Sequence, residues 1–95
     1  MPVTVRVPTI LRTYTGGAAE VTLDSPGSTL ATALQSLEEA APGIRARVLD
    51  EAGAMRRFVN IYVDDEDVRF SGGLDTPVED GCSIAVIPAV AGGAQ

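Results

Sequence analysis

The sequence has no histidine, no lysine and no tryptophan, and every one of its seven basic residues is an arginine. Without histidine, the usual general base of hydrolases and the commonest metal ligand are both missing. Without lysine there is no side-chain amine to form a Schiff base, to serve a phosphate loop or to accept an isopeptide bond, so only the α-amine remains for such chemistry. The single cysteine, Cys82, can neither close an internal disulfide nor supply the several thiolates of a structural zinc site. With no histidine to activate it, Cys82 reads as a small packed residue rather than a nucleophile. No apolar run approaches the roughly 18 to 20 residues of a membrane span. The segment Met1-Pro2-Val3-Thr4-Val5 lacks the basic stretch and apolar core of a signal peptide. These absences lead us to expect a cytoplasmic protein with no bound metal and no membrane partner.

Basic charge is also scarce. Thirteen acidic residues against seven arginines give a net charge of −6, which disfavours a nucleic-acid binder, because phosphate backbones reward clustered Lys and Arg. From net charge alone, a partner surface is expected to be basic. What the chain does have is apolar content, 45% over 95 residues. That suffices for one core and not two, since a chain this short buries only about 60 to 65% of its unfolded surface. We expect one domain over residues 1–87 and a flexible C-terminal tail over 88–95.

Val3, Val5 and Val7 alternate with Thr4 and Arg6, the period-two pattern of a strand with one buried face. Thr15-Gly16-Gly17-Ala18 punctuates the chain before Val21 and Leu23 resume alternation, which predicts an antiparallel hairpin with a long loop. After the turn cluster Ser25-Pro26-Gly27-Ser28, either Ser28 or Thr29 can cap a helix carrying Leu30, Ala33, Leu34, Leu37 and Ala41 at helical spacing, with Glu38 and Glu39 facing water. Pro42-Gly43 stops it, and Ile44, Val48 and Leu49 suggest a further helical turn. Phe58 to Val63 is dense in β-branched and aromatic residues and reads as a third strand. Asp64 to Asp67 is its exit loop, and Val68-Arg69-Phe70 a short edge strand. The last strand, Ser83 to Ile87, has almost no polar face, which suits a central position under the helix. A hairpin, a helix, then short strands ending in a central one describe an α+β, β-grasp (ubiquitin-like) fold with a mixed sheet of four to five strands.

Pro88-Ala89-Val90-Ala91-Gly92-Gly93-Ala94-Gln95 carries no charge and no side chain larger than Val before Gln95. Six extended residues reach about 20 Å, enough to thread into another protein's active site. Glycine there lets a partner enzyme close around bare main chain.

In this setting the whole chain resembles the ThiS/MoaD family of sulfur carriers, in particular those serving cysteine biosynthesis. The matching segments are Val7-Pro8-Thr9-Ile10-Leu11-Arg12, Arg57 to Val63, Asp65 to Leu74, and Ile87-Pro88-Ala89-Val90-Ala91-Gly92-Gly93. The resemblance implies that the protein is a carrier rather than an enzyme. An E1-like adenylyltransferase would use ATP to activate the Gly93 carboxylate, which a sulfur donor converts to a thiocarboxylate, with Val90, Ala91 and Gly92 inserted in partner active sites. It further implies a sulfur-accepting biosynthetic enzyme, a PLP-dependent cysteine synthase in the cysteine branch, and a metallopeptidase that releases the cysteine. The carriers of this family end at Gly-Gly, whereas this sequence continues with Ala94-Gln95, so a peptidase of the zinc metallopeptidase type is expected to remove that extension. Phe58 and Ile87 are the candidate patch for docking the activating enzyme.

Other features have plainer readings. Gly16-Gly17 and Gly72-Gly73 lack the Gly-Lys-Ser/Thr ending of a phosphate loop and read as turns. Asp64-Asp65-Glu66-Asp67 lacks the spacing and glycine of a calcium loop and reads as a solvated turn. Arg56-Arg57 reads as solubilising. Three rival functions remain: the small subunit of molybdopterin synthase, a ubiquitin-like modifier joined through Gly93 to target lysines, and a β-grasp binding module with an inert tail.

Overall fold

The computed structural model describes residues 2–24, 26–57 and 59–88. Five strands form one mixed sheet in the order β2-β1-β5-β3-β4. Strand β1 (Val3–Arg6) pairs antiparallel with β2 (Glu20–Leu23), placing Val3 opposite Leu23 and Arg6 opposite Glu20. The alternation seen in sequence is the burial pattern of β1: Val3 and Val5 are buried and Arg6 is exposed.

Helix α1 (Leu30–Ala40) starts at Thr29, not Ser28. The Thr29 hydroxyl accepts from the Thr32 backbone N–H at 3.3 Å and the Thr32 hydroxyl from the Thr29 N–H at 3.1 Å, so two of the N–H groups that a helix start leaves orphaned are satisfied reciprocally. Leu30, Ala33, Leu34 and Leu37 form its buried stripe. They pack with Val5, Ile61, Ile84 and Val86 of the sheet in one apolar cluster. A second short helix, α2 (Arg45–Val48), follows where Ile44, Val48 and Leu49 predicted a turn, and all three are buried.

Glu38 does not simply face water. Its carboxylate accepts from the backbone N–H groups of Gly43 at 2.9 Å and Arg45 at 3.0 Å, tying the end of α1 to the start of α2. Glu39 is exposed, as expected.

Strand β3 (Val59–Val63) pairs antiparallel with β5 (Ser83–Pro88), and β5 pairs parallel with β1. The nearly all-apolar strand is therefore the central one, and it runs one residue past Ile87. Asp64 and Asp65, at φ of 51° and 71°, form the two-residue turn that such left-handed angles suit in a hairpin. The chain then returns as β4 (Glu66–Asp67), and Val68–Phe70 is a 3-10 turn rather than an edge strand. The Asp67 carboxylate accepts from the Arg69 N–H at 2.9 Å, which bends the backbone out of the ladder.

Candidate functional site

The structural consequence of the sheet order is a defined root for the tail. Pairing of β1 with β5 stops at Arg6 opposite Ala85, while β3 stays paired with β5 as far as Val59 opposite Pro88. Beyond Arg6 the chain stays with β2 but not with β5: the Val7 N–H donates to the Ala19 carbonyl at 2.8 Å, one step further along the β1–β2 register. Pro8 then leads into a 3-10 segment, Thr9–Tyr14, within the long loop of the hairpin. A cleft of about 310 Å³ opens where β1 leaves the sheet, with Arg6, Val7, Pro8 and Arg12 on one wall and Val86, Ile87 and Pro88 on the other. The Arg12 Nε donates to the Val7 carbonyl at 3.1 Å, holding that wall in place.

The other side of the root is fixed by Arg69. Its guanidinium donates to the carbonyls of Val59 at 2.7 Å, Arg56 at 3.2 Å and Arg57 at 3.3 Å, and also to the Asn60 side-chain oxygen. Val59 and Asn60 are the register partners of Pro88 and Ile87. One planar cation thus binds the segment against which the last two residues of β5 are paired, a task suited to the rigid fork of arginine.

Of the two residues expected to form a docking patch, Ile87 is 48% exposed at the tail root, and Phe58 lies outside the described residues. Val90, Ala91, Gly92, Gly93, Ala94 and Gln95 also lie outside them. Two apolar side chains that sequence reasoning missed are exposed at the same end of the sheet: Ile10 at 65%, in the 3-10 segment after β1, and Phe70 at 86%, in the 3-10 turn after β4. Each sits in a 3-10 segment of six residues or fewer, too short to show a period that would mark an outward-facing side chain.

Cys82 is buried and unpaired. Burial pushes its thiol pKa up, and the Asp64 and Glu79 charges add to that shift against backbone hydrogen bonding, so the thiolate needed of a nucleophile is disfavoured. Asp64 accepts from the Ser83 N–H at 2.9 Å, and Asp64 and Asp67 both serve as backbone acceptors. Among the described residues, no group of three or more His, Cys, Asp or Glu is placed to hold a metal ion. Arg56 is structural as well as polar, because its Nε donates to the Ala46 carbonyl at 3.0 Å. Among the described residues no helix is long and apolar enough to cross a membrane.

The comparisons with known proteins agree with this architecture. The model of the ThiS family matches residues 5–93. The sulfur carrier protein CysO of Mycobacterium tuberculosis is 53% identical over 95 residues, covering 98% of this chain and all of that one. Its crystal structure superposes with a TM-score of 0.86 at 51% identity, over 93% of this chain and 99% of that chain. A BexX/CysO complex from Amycolatopsis orientalis gives a TM-score of 0.86 at 48% identity, over 93% of this chain and 96% of the matched chain. Small archaeal modifier protein 1 of Haloferax volcanii gives a TM-score of 0.78 over 94% and 98% of the two chains, and at 23% identity shows a shared fold alone. On the family match and the full-length likeness to CysO, the chain belongs to the ThiS family and is a homologue of small ubiquitin-like sulfur carriers rather than of catalysts.

Proposed function

We propose that the protein carries sulfur as a thiocarboxylate on Gly93. The observation that carries this reading is that the family match runs through Gly93 and stops there, two residues before Gln95.

Three steps follow in order. Gly93 is followed by Ala94-Gln95, so its carboxyl is tied up in a peptide bond. A peptidase of the zinc metallopeptidase type hydrolyses the Gly93–Ala94 bond, consuming one water and releasing the dipeptide. An E1-like adenylyltransferase then joins the freed carboxylate to the α-phosphate of ATP, with pyrophosphate leaving. A sulfide-level donor, hydrosulfide, attacks the acyl adenylate through its sulfur, AMP departs with the electrons of the broken C–O bond, and one carboxylate oxygen has been replaced by sulfur. The ATP is consumed by the partner, and this chain's own cofactor complement is none.

Tethered thiocarboxylate sulfur is a strong nucleophile that is not diluted into solvent, so transfer gains from positioning. Val90, Ala91 and Gly92 are the segment threaded into partner active sites, and Ile87 with Phe58 docks the activating enzyme. The strong likeness to CysO supports a sulfur-accepting enzyme of cysteine biosynthesis, a PLP-dependent synthase acting on an activated serine, followed by metallopeptidase release of cysteine. The A. orientalis CysO in complex with BexX supports a carrier that meets a separate protein.

ATP–pyrophosphate exchange with the E1-like enzyme from the same host tests the order of steps. Exchange is expected for the chain ending at Gly93 and absent for the chain ending at Gln95. Equal exchange with both would remove the trimming step, and exchange with neither would remove the carrier reading.

A further inference from the structure

Net charge conceals how the charges are placed. Strands β1 and β5 run parallel, with β2 and β3 antiparallel to β1 and β5 respectively. The end at which β5 delivers the tail root therefore also holds the end of β1 and the starts of β2 and β3. Arg6 closes β1 at that end and Arg12 lies in the 3-10 segment beyond it. Arg56 and Arg57 lead into β3, and Arg69 reaches back to their carbonyls. Arg45 and Arg47 sit on α2, which is held to the same end by the Arg47 Nε to Tyr14 hydroxyl bond at 2.6 Å and the Arg56 Nε to Ala46 carbonyl bond at 3.0 Å. All seven arginines lie there, together with four carboxylates: Glu20 opposite Arg6, and Glu38, Asp50 and Glu51 beside Arg45 and Arg56, so cations outnumber anions at this end.

The opposite end holds Asp24 after β2, Asp64, Asp65 and Glu66 around the β3–β4 turn, and Glu79 and Asp80 ahead of β5. The two ends are separated by the six residues of β5, about 20 Å of extended chain. That is about two Debye lengths at physiological ionic strength. A compact partner at one end feels little of the other.

We propose that the surface around the tail root docks a carboxylate-rich rim on the enzyme that takes the tail. The expectation of a basic partner, drawn from net charge, is thereby reversed for this surface. Arg6 is available for such a contact, because its side chain is 66% exposed and its pairing with Glu20 spans 4.0 Å. Arg57 is exposed. The cleft between Arg6, Arg12 and the root offers a seat for a side chain of that rim. A polyanion such as nucleic acid, or an anionic bilayer, extends over many Debye lengths and would meet the acidic end as well, so a protein rim fits the pattern better. This inference rests on the carrier reading above, since it assumes an enzyme that takes the tail.

The test is the association rate of the full chain with the E1-like activating enzyme of the same host, by stopped flow, at ionic strengths from about 0.02 to 0.5 M. Steered association is expected to slow by about tenfold or more across that range. The double variant Arg6→Gln/Arg57→Gln should associate about 3- to 10-fold more slowly at low salt and within about twofold of wild type at high salt. The control Asp65→Asn/Glu66→Gln, with fold checked by circular dichroism as for the first, should stay within about twofold throughout. A salt-independent rate, or equal effects of the two double variants, would overturn the inference. So would arginine-dependent binding to duplex DNA or phosphatidylserine vesicles with enzyme association unchanged. A wild type that forms thiocarboxylate normally in any of these cases leaves the carrier reading standing, whereas one that never forms it removes that reading instead.

Discussion

The Arg69 guanidinium donates to the Val59 carbonyl at 2.7 Å, and Val59 is the register partner of Pro88, the last described residue before the tail. The direction in which the chain leaves the sheet is thus set by a contact between the 3-10 turn after β4 and the first residue of β3. Arg69→Lys keeps the charge but cannot span three carbonyls and an amide oxygen at once. It should lower stability by about 1 to 2 kcal/mol in urea unfolding. A loss no greater than that of Arg57→Lys would contradict the assignment.

Glu38 couples stability to pH. Backbone hydrogen bonds from Gly43 and then Arg45 hold its pKa below the usual carboxylate value of 4.5. A carboxylate whose folded pKa is depressed contributes stability that is fully present above its unfolded pKa and is lost as pH falls through the folded one. The urea midpoint should therefore drop on acidification below about pH 4.5, and Glu38→Gln should flatten that part of the curve. An unchanged acid limb in the variant would show that the two bonds contribute nothing.

Gly43 is required for steric reasons. Its φ is +99° and an added Cβ would lie 3.0 Å from two ring carbons of Tyr14, whose hydroxyl accepts from Arg47. Gly43→Ala should cost about 1 to 2 kcal/mol, measured as a fall in Tm, and Tyr14→Leu in the same chain should recover part of it.

Two isoleucines on neighbouring strands separate folding from docking. Ile61 is fully buried, and Ile61→Ala should cost about 3 to 4 kcal/mol through lost transfer and a residual cavity. Ile87 is half exposed at the tail root. Ile87→Ser should cost less than about 1 kcal/mol yet slow ATP–pyrophosphate exchange several-fold. Unchanged exchange would withdraw Ile87 from the docking surface.

The sequence made the fold legible wherever one face of an element had to be buried. Val3, Val5 and Val7, the Leu30 to Leu37 stripe, and Ser83 to Ile87 each show their period directly, and the central place of the last strand follows from its lack of a polar face. The 3-10 segments were not legible, because three to six residues are too few to show a period. Val68-Arg69-Phe70 mimics alternation, but the Asp67 side chain captures the Arg69 N–H. The true edge strand, Glu66–Asp67, is made of residues poor in β propensity and is placed by the Asp64-Asp65 turn. Glu38 looked solvent-facing because its acceptor role depends on the backbone of residues five and seven positions later. At the site, Gly92-Gly93 and Ile87 could be singled out from sequence. The exposed Phe70 and Ile10, the Arg69 clamp and the gathering of every arginine at the tail end depend on the sheet order, which charge counting does not contain.

Intact mass spectrometry of the protein recovered from its native host tests the carrier proposal most directly. The expected result is a chain that has lost Ala94-Gln95 and exchanged one oxygen for sulfur, with fragmentation placing the sulfur on Gly93. A full-length, unmodified chain from sulfur-replete cells, with no thiocarboxylate form under any growth condition, would contradict it.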